Sequence, residues 1–211
     1  MAISKRGLLI GGVGILALGG AGAVAVERRV NPRTAIDYRF PAVSGAAGDP
    51  VACSGQPTAS QIEGPFYKPR TPQRSVLNAE GAAGPPLMFE GRVLGRDCRP
   101  IAGAVIDVWH ADGEGGYDNA GFRLRGHQFT DGEGRFRFRT VRPGPYGQLG
   151  LQRAPHIHVK VQRRGGALLT SQLYFPDDPM NGKDMMYDPS LLLRMHGRDE
   201  ALTGRFDFVL A

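Results

Sequence analysis

The chain has 211 residues, of which 41% are apolar and 22% charged, enough for one globular domain with a buried core plus extensions. Its formal charge of +6 looks like a nucleic-acid signal, yet six Lys/Arg and two Asp/Glu fall within residues 1–40, so the remainder carries only +2. A nucleic-acid surface needs a basic stripe interleaved with aromatics; Arg135, Arg137 and Arg139 instead read as the solvated face of an alternating strand, and no nucleic-acid partner is expected.

In chain order, residues 1–40 stand apart as a signal or anchor. Lys5-Arg6 precede a Gly/Ala-rich apolar run that ends at Val26, the layout of an export signal. The segment resembles a twin-arginine leader in which Lys5 stands where the first arginine would be. Glu27-Arg28-Arg29 follow the run without a clear cleavage motif, so a cleaved signal and a retained membrane anchor through residues 7–26 both stay open. The expected location is the periplasm, free or anchored to the inner membrane and facing it. Cys53 and Cys98 suit such an oxidising compartment as a disulfide that staples an N-terminal extension to the main domain.

Residues 41–85 are rich in Pro, Gly, Ala and Ser with little periodicity, which predicts an extended, loop-rich arm. Its dense point is Ile62-Glu63-Gly64-Pro65-Phe66-Tyr67, whose aromatics either pin the arm down or wall a pocket. Over residues 86–211 short alternating stretches replace it: 89–94, 104–110, 134–141, 156–162, 168–174 and 205–210 all have strand length and composition. Asp131-Gly132 and Pro143-Gly144 punctuate them, and Ser190 to Met195 reads as a short helix. Such a series without a βαβ rhythm predicts an all-β chain folded as an antiparallel β-sandwich.

Within the fourth stretch His156, His158 and Lys160 alternate with Ile157, Val159 and Val161, the period of a half-buried strand. Both imidazoles then point to one side, roughly 7 Å apart along the strand, where their tips can converge on one ion. A pair of hydrogen-bonded histidines is the plainer reading of H-x-H alone. Tyr117 and Tyr146 sit in Gly/Pro loops that follow strands, where the backbone can come close to a site and aim a side chain into it.

Several motifs together are more specific. Gly91-Arg92-Val93, Cys98-Arg99-Pro100, Gly103 to Asp112 and Gly116-Tyr117 are followed by Phe138 to Tyr146, Arg153 to His158 and Ser171-Gln172. In this order, with Ile62 to Tyr67 ahead of them, they resemble the signature of the intradiol ring-cleavage dioxygenases, the family of protocatechuate 3,4-dioxygenase and catechol 1,2-dioxygenase. The resemblance implies a mononuclear non-haem Fe(III) held by Tyr117, Tyr146, His156 and His158. It further implies that a catechol-type substrate is cleaved with O2 between its hydroxyl-bearing carbons to a cis,cis-muconate-type product. Tyr146 would leave the metal and take a substrate proton, Arg153 and Gln172 would stabilise charge on the ring, and Phe66 matches a substrate wall. Catechol, protocatechuate and larger aromatics stay open as substrates, as does the oligomeric state, a homo-oligomer included. The alternatives are a copper-binding sandwich and a non-catalytic, transthyretin-like one, neither of which accounts for the two tyrosines.

Overall fold

Strand β1, Pro86–Gly95, is the spine of the first sheet in the computed structural model, which describes residues 38–42, 48–78, 80–148, 151–197 and 202–211. Along one edge it pairs antiparallel with β4, Arg135–Val141, with Phe89 opposite Phe138. On β4 the arginines are exposed while Phe136 and Phe138 are buried, the strand alternation the sequence predicts. β10, Leu202–Arg205, and β11, Phe208–Leu210, pair with successive parts of β1 and keep one register. Between them, Phe206 N donates to the Glu90 carbonyl and Arg92 N donates to the Asp207 carboxylate, which carries the pairing across the break.

The second sheet has the order β3-β2-β7-β8, from Arg125–Phe129, Val105–Trp109, His156–Gln162 and Leu169–Tyr174, and is antiparallel throughout. Phe89, Val93, Phe136, Phe138 and Phe208 of the first sheet join Ile106, Val108, Ile157, Val159 and Leu173 of the second in one apolar core. β5, Tyr146–Gln148, and β6, Leu151–Arg153, form a separate hairpin.

The structure departs from the sequence expectation in four places. The first sheet is mixed, because β10 and β11 run parallel to β1: the chain crosses over after β8 and re-enters beside β1 in the same direction. The helix expected over Ser190 to Met195 is a short 3-10 turn, Pro189–Leu191, followed by β9, Arg194–His196, which pairs with β10. Pro189 and the Asp188 cap start that turn, and the backbone is already extended at Leu192. β3 and the β5-β6 hairpin lack an alternating apolar signal, since β3 is rich in polar side chains and the hairpin strands are only three residues long.

The last departure is β7, which is buried on both faces. Its second face lies under the arm rather than under solvent. Glu63 pairs with Lys160 of β7 at 2.6 Å and Gly64 lies against His158. On β8, Gln61 N donates to the Thr170 carbonyl at 2.8 Å and Ser171 Oγ donates to the Ala59 carbonyl at 2.8 Å. Ahead of the arm, within the residues 1–40 expected to stand apart, the Tyr38 ring stacks on His127 of β3 at 3.9 Å. At its start the arm is joined to the turn after β1 by a Cys53–Cys98 disulfide with a Cα separation of 5.6 Å. The expected leader falls, up to residue 37, outside the described residues; among those described, no helix is long and apolar enough to cross a membrane.

Candidate functional site

β7 lies inside the second sheet, with His158 between Trp109 of β2 and Gln172 of β8, and His156 opposite Tyr174. The two imidazoles face one another, Nε2 to Nε2, at 3.0 Å. His156 Nδ1 is 2.6 Å from the Ala154 carbonyl, which can only accept. Nδ1 therefore carries the proton and the Nε2 lone pair points toward His158. Trp109 stacks flat on His158 at 4.8 Å and 6° and fixes that ring's plane. Burial pushes His156 down to about 4 and His158 well below its usual range, with the neighbouring His156 adding to the latter. Both are therefore neutral nitrogen donors near neutral pH.

The two tyrosines arrive from loops that dock backbone to backbone. Asp112 Oδ1 accepts from Glu114 N and Gly116 N, while its carbonyl accepts from Gly144 N. Gly115 sits at φ +86°, and a Cβ there would lie 2.4 Å from the Pro145 carbonyl oxygen, so only glycine lets the loops meet. The result sets the Tyr117 and Tyr146 rings 5.4 Å apart, with Tyr146 5.6 Å from His156 and Tyr117 6.4 Å from His158. Tyr117, Tyr146, His156 and His158 thus converge from β7, the β5-β6 hairpin and the loop after β2.

This group fits a metal ion by its unmet bonding. Tyr117 Oη is buried without a hydrogen-bond partner among the described residues, a costly state for a hydroxyl. Burial raises the pKa of both Tyr117 and Tyr146, with each other's or nearby charges modifying it, so a bound cation is what would hold them as phenolates. No three His, Cys, Asp or Glu side chains among the described residues gather into a metal site, so the imidazole pair needs donors of another kind. Phenolate is hard, anionic and electron-rich, and with two imidazoles it suits ferric iron.

The other residues picked from the sequence stand around this group. Phe66 stacks on Tyr117 at 4.3 Å and 16° and meets Tyr146 edge-on at 5.9 Å. Gly64, also on the arm, lies against His158, where a Cβ would come within 3.3 Å of Cε1. Arg153 pairs with Tyr146 across the hairpin and is buried. Its Nη2 donates to Gln172 Oε1 at 2.5 Å, and Gln172 Nε2 in turn donates to the Ile62 carbonyl at 3.0 Å.

Sequence reasoning missed what holds Arg153. Asp184 takes Arg153 Nε on both carboxylate oxygens at 3.0 Å and also accepts from Ala154 N and Met186 N. It lies in an irregular segment where no periodicity marks it. Trp109 was visible within the Asp107-Val108-Trp109-His110 run, but only the sheet register shows that it packs on His158 of the adjacent strand β7. The remaining histidines are otherwise engaged: His110, near the pair, is held between the Ala111 carbonyl and Thr140 Oγ1, His127 lies beside Thr71, and His196 is exposed on β9.

This sandwich has known counterparts. Residues 62–211 match the family model described as dioxygenase. The chain is 34% identical over 151 residues to hydroxyquinol 1,2-dioxygenase of Rhizobium sp. (strain MTP-10005), covering 61% of this chain and 51% of that protein. It is 32% identical over 156 residues to catechol 1,2-dioxygenase 1 of Acinetobacter lwoffii, covering 62% and 50%. The chain thus spans about half the length of these curated relatives. Among solved structures, the dioxygenase domain of a dioxygenase carbohydrate-binding protein fusion from Streptomyces sp. SirexAA-E superposes with a TM-score of 0.69 at 46% identity, over 74% of this chain and 98% of that one. 3-Chlorocatechol 1,2-dioxygenase from Rhodococcus opacus 1CP gives 0.67 at 29% identity, over 72% and 71%. The chain belongs to the intradiol ring-cleavage dioxygenase family.

The Arg153–Asp184 pair is sealed from water, with side-chain exposures of 7% and 0%. Removing one charge strands the other in a medium that solvates it poorly. Asp184→Asn is expected to cost about 3 kcal/mol in urea unfolding, and Arg153→Met in the same chain to recover part of that loss. A cost under about 1 kcal/mol would mean that water reaches the pair.

Proposed function

We propose that the chain is an Fe(III)-dependent intradiol dioxygenase that opens a catechol-type ring between its hydroxyl-bearing carbons with O2, giving a cis,cis-muconate-type dicarboxylate. The observation that carries this reading is the convergence of two buried, neutral imidazoles and two phenols, one with its hydroxyl unpartnered, on one small volume. When bound, ferric iron would supply the Lewis acidity that lowers the catechol hydroxyl pKa and the electronic coupling that lets the ring meet O2.

The chain's own residues divide the remaining work. Tyr117 is the more enclosed phenol, stacked under Phe66, and suits a permanent ligand. Tyr146 lies beside the Arg153 guanidinium, which lowers its pKa against the raising effect of burial. Tyr146 is the less enclosed of the two phenols, which suits it to take the substrate proton, and Arg153 keeps a positive charge within reach of its oxygen while it is ionised. Phe66 offers an aromatic wall. Arg153 and Gln172, locked together and to Asp184, present fixed dipole and charge to a ring on which negative charge develops, so little reorganisation is needed. Both oxygen atoms end in the product carboxylates, and no external reductant is consumed.

The copper-binding alternative fares worse, because His110, though near the pair, has both ring nitrogens engaged by the Ala111 carbonyl and Thr140 Oγ1, while His127 is held at Thr71 and His196 is exposed on β9. A non-catalytic sandwich would leave Tyr117 Oη buried without purpose. Incubation of the iron-loaded protein with catechol, hydroxyquinol, protocatechuate and 3-chlorocatechol under 18O2 is expected to give a dicarboxylate carrying label in both new oxygens. A yellow semialdehyde from cleavage beside the diol would contradict the reading, and so would no turnover with any of the four.

We further propose that the protein is exported to the periplasm, released or held by residues 7–26. The basic start and apolar run before Val26 support this, together with a Cys53–Cys98 pairing that suits an oxidising compartment. Cell fractionation with thiol trapping is expected to find it in the periplasmic or membrane fraction with no free thiol. A cytoplasmic pool with two reactive thiols would contradict export.

A further inference from the structure

Beyond His158 the covered face of the second sheet carries another buried polar cluster, for which the reaction has no evident use. Asp107 of β2 is at its centre and has no exposed surface. Across the sheet its neighbours are Lys160 of β7 and His127 of β3. Asp107 Oδ2 accepts from Tyr38 Oη at 3.0 Å and Tyr67 Oη at 3.1 Å, and Oδ1 accepts from Thr71 Oγ1 at 2.8 Å. Tyr67 and Thr71 belong to the arm, and Tyr38 to the residues just ahead of it. The sheet supplies one charged acceptor, and separate points of an otherwise irregular segment converge on it.

Two more contacts hold the same stretch. Lys160 Nζ pairs with Glu63 at 2.6 Å and lies 4.3 Å over the Tyr67 ring, while Arg125 Nη1 donates to the Phe66 carbonyl at 2.5 Å. Between these anchors run the two arm residues that touch the candidate ligands, Gly64 against His158 and Phe66 against Tyr117. Taking a carboxylate out of water is expensive, and an apolar residue of similar size would stabilise the sheet as well or better. What the carboxylate adds is register, because an apolar contact tolerates sliding and three hydrogen bonds to two oxygens do not.

We infer that Asp107 is a positioning residue for the candidate active site: by gathering Tyr38, Tyr67 and Thr71 it seats the arm so that Phe66 and Gly64 face Tyr117 and His158. Its effect on turnover rests on the dioxygenase reading; the seating itself does not, and can be measured without metal or substrate.

The chain has a single tryptophan, Trp109. It is fully buried, with Tyr67 of the arm packed on it at 4.8 Å. Its emission therefore reports whether the arm is seated. In the full-length protein, Asp107→Leu and, from the arm side, the double change Tyr67→Phe with Thr71→Val are each compared with the parent by acrylamide quenching, far-UV circular dichroism and steady-state kinetics on a turned-over catechol. With β content and disulfide intact, the quenching constant is expected to rise severalfold in both variants. KM is expected to rise about 10-fold with kcat within about 3-fold, the pattern of a lost aromatic wall rather than a damaged reaction centre. Parental quenching in both folded variants would overturn the inference, as would raised quenching with parental KM. If Asp107→Leu does not fold, the arm-side double variant decides alone. A parent that cleaves no catechol counts against the proposed function, while the quenching result still decides the seating.

Discussion

Two neutral imidazoles buried tip to tip at 3.0 Å are the constraint on which the rest of the structure depends. A charged imidazolium there would lack solvation and face the Arg153 cation, so burial holds both rings neutral, with the two Nε2 atoms placed to share one proton or one electron-poor atom. The Ala154 carbonyl orients one ring and the Trp109 face flattens the other. The elements packed around that pair keep water away or bring a phenol oxygen toward it.

Keeping water away falls to an element without regular secondary structure. An open antiparallel sheet usually shows one face to solvent, and β7 with its H-x-H-x-Lys face would do so but for the arm. Covering polar side chains requires polar partners, which is why Glu63, Tyr67, Thr71 and the Ile62 carbonyl all bond inward. The arm continues past the site, where Lys68 Nζ donates to the Ala120 and Gly121 carbonyls and thereby ties the loop that follows Tyr117. Ligand loop and cover are fastened to each other as well as to the sheet. On the other side Arg153, Gln172 and Asp184 form a closed charge network, so the site is enclosed by fixed polar groups more than by apolar wall.

The strands that were legible in the sequence are those with a solvent face or a continuous apolar run: β4, where arginine alternates with phenylalanine, and β1, β2, β7 and β8, while the stretch 205–210 is divided between the end of β10 and β11. The residues of the site were legible because their motif order resembles a family's, and the structure gathers Tyr117, Tyr146, His156 and His158 together with Phe66, Arg153 and Gln172. What could not be read is what depends on register and on irregular chain. Asp184 reaches Arg153 from a segment with no period, and Asp107 looks like an ordinary polar residue in a strand until three hydroxyls from the chain ahead of β1 are seen to meet it. The parallel return of β10 and β11 beside β1 likewise follows from where the crossover lands, which local composition does not encode.

The central claim is that two phenols and two imidazoles form one ferric site, and titration of Fe(III) into metal-free protein followed in the visible range tests it most directly. The account predicts saturation at one equivalent with a red-brown tyrosinate-to-iron band, abolished in His156→Ala and His158→Ala, largely lost in Tyr117→Phe, and retained from the remaining phenolate in Tyr146→Phe. A parental band in Tyr117→Phe, or the absence of any band in the parent, would contradict it.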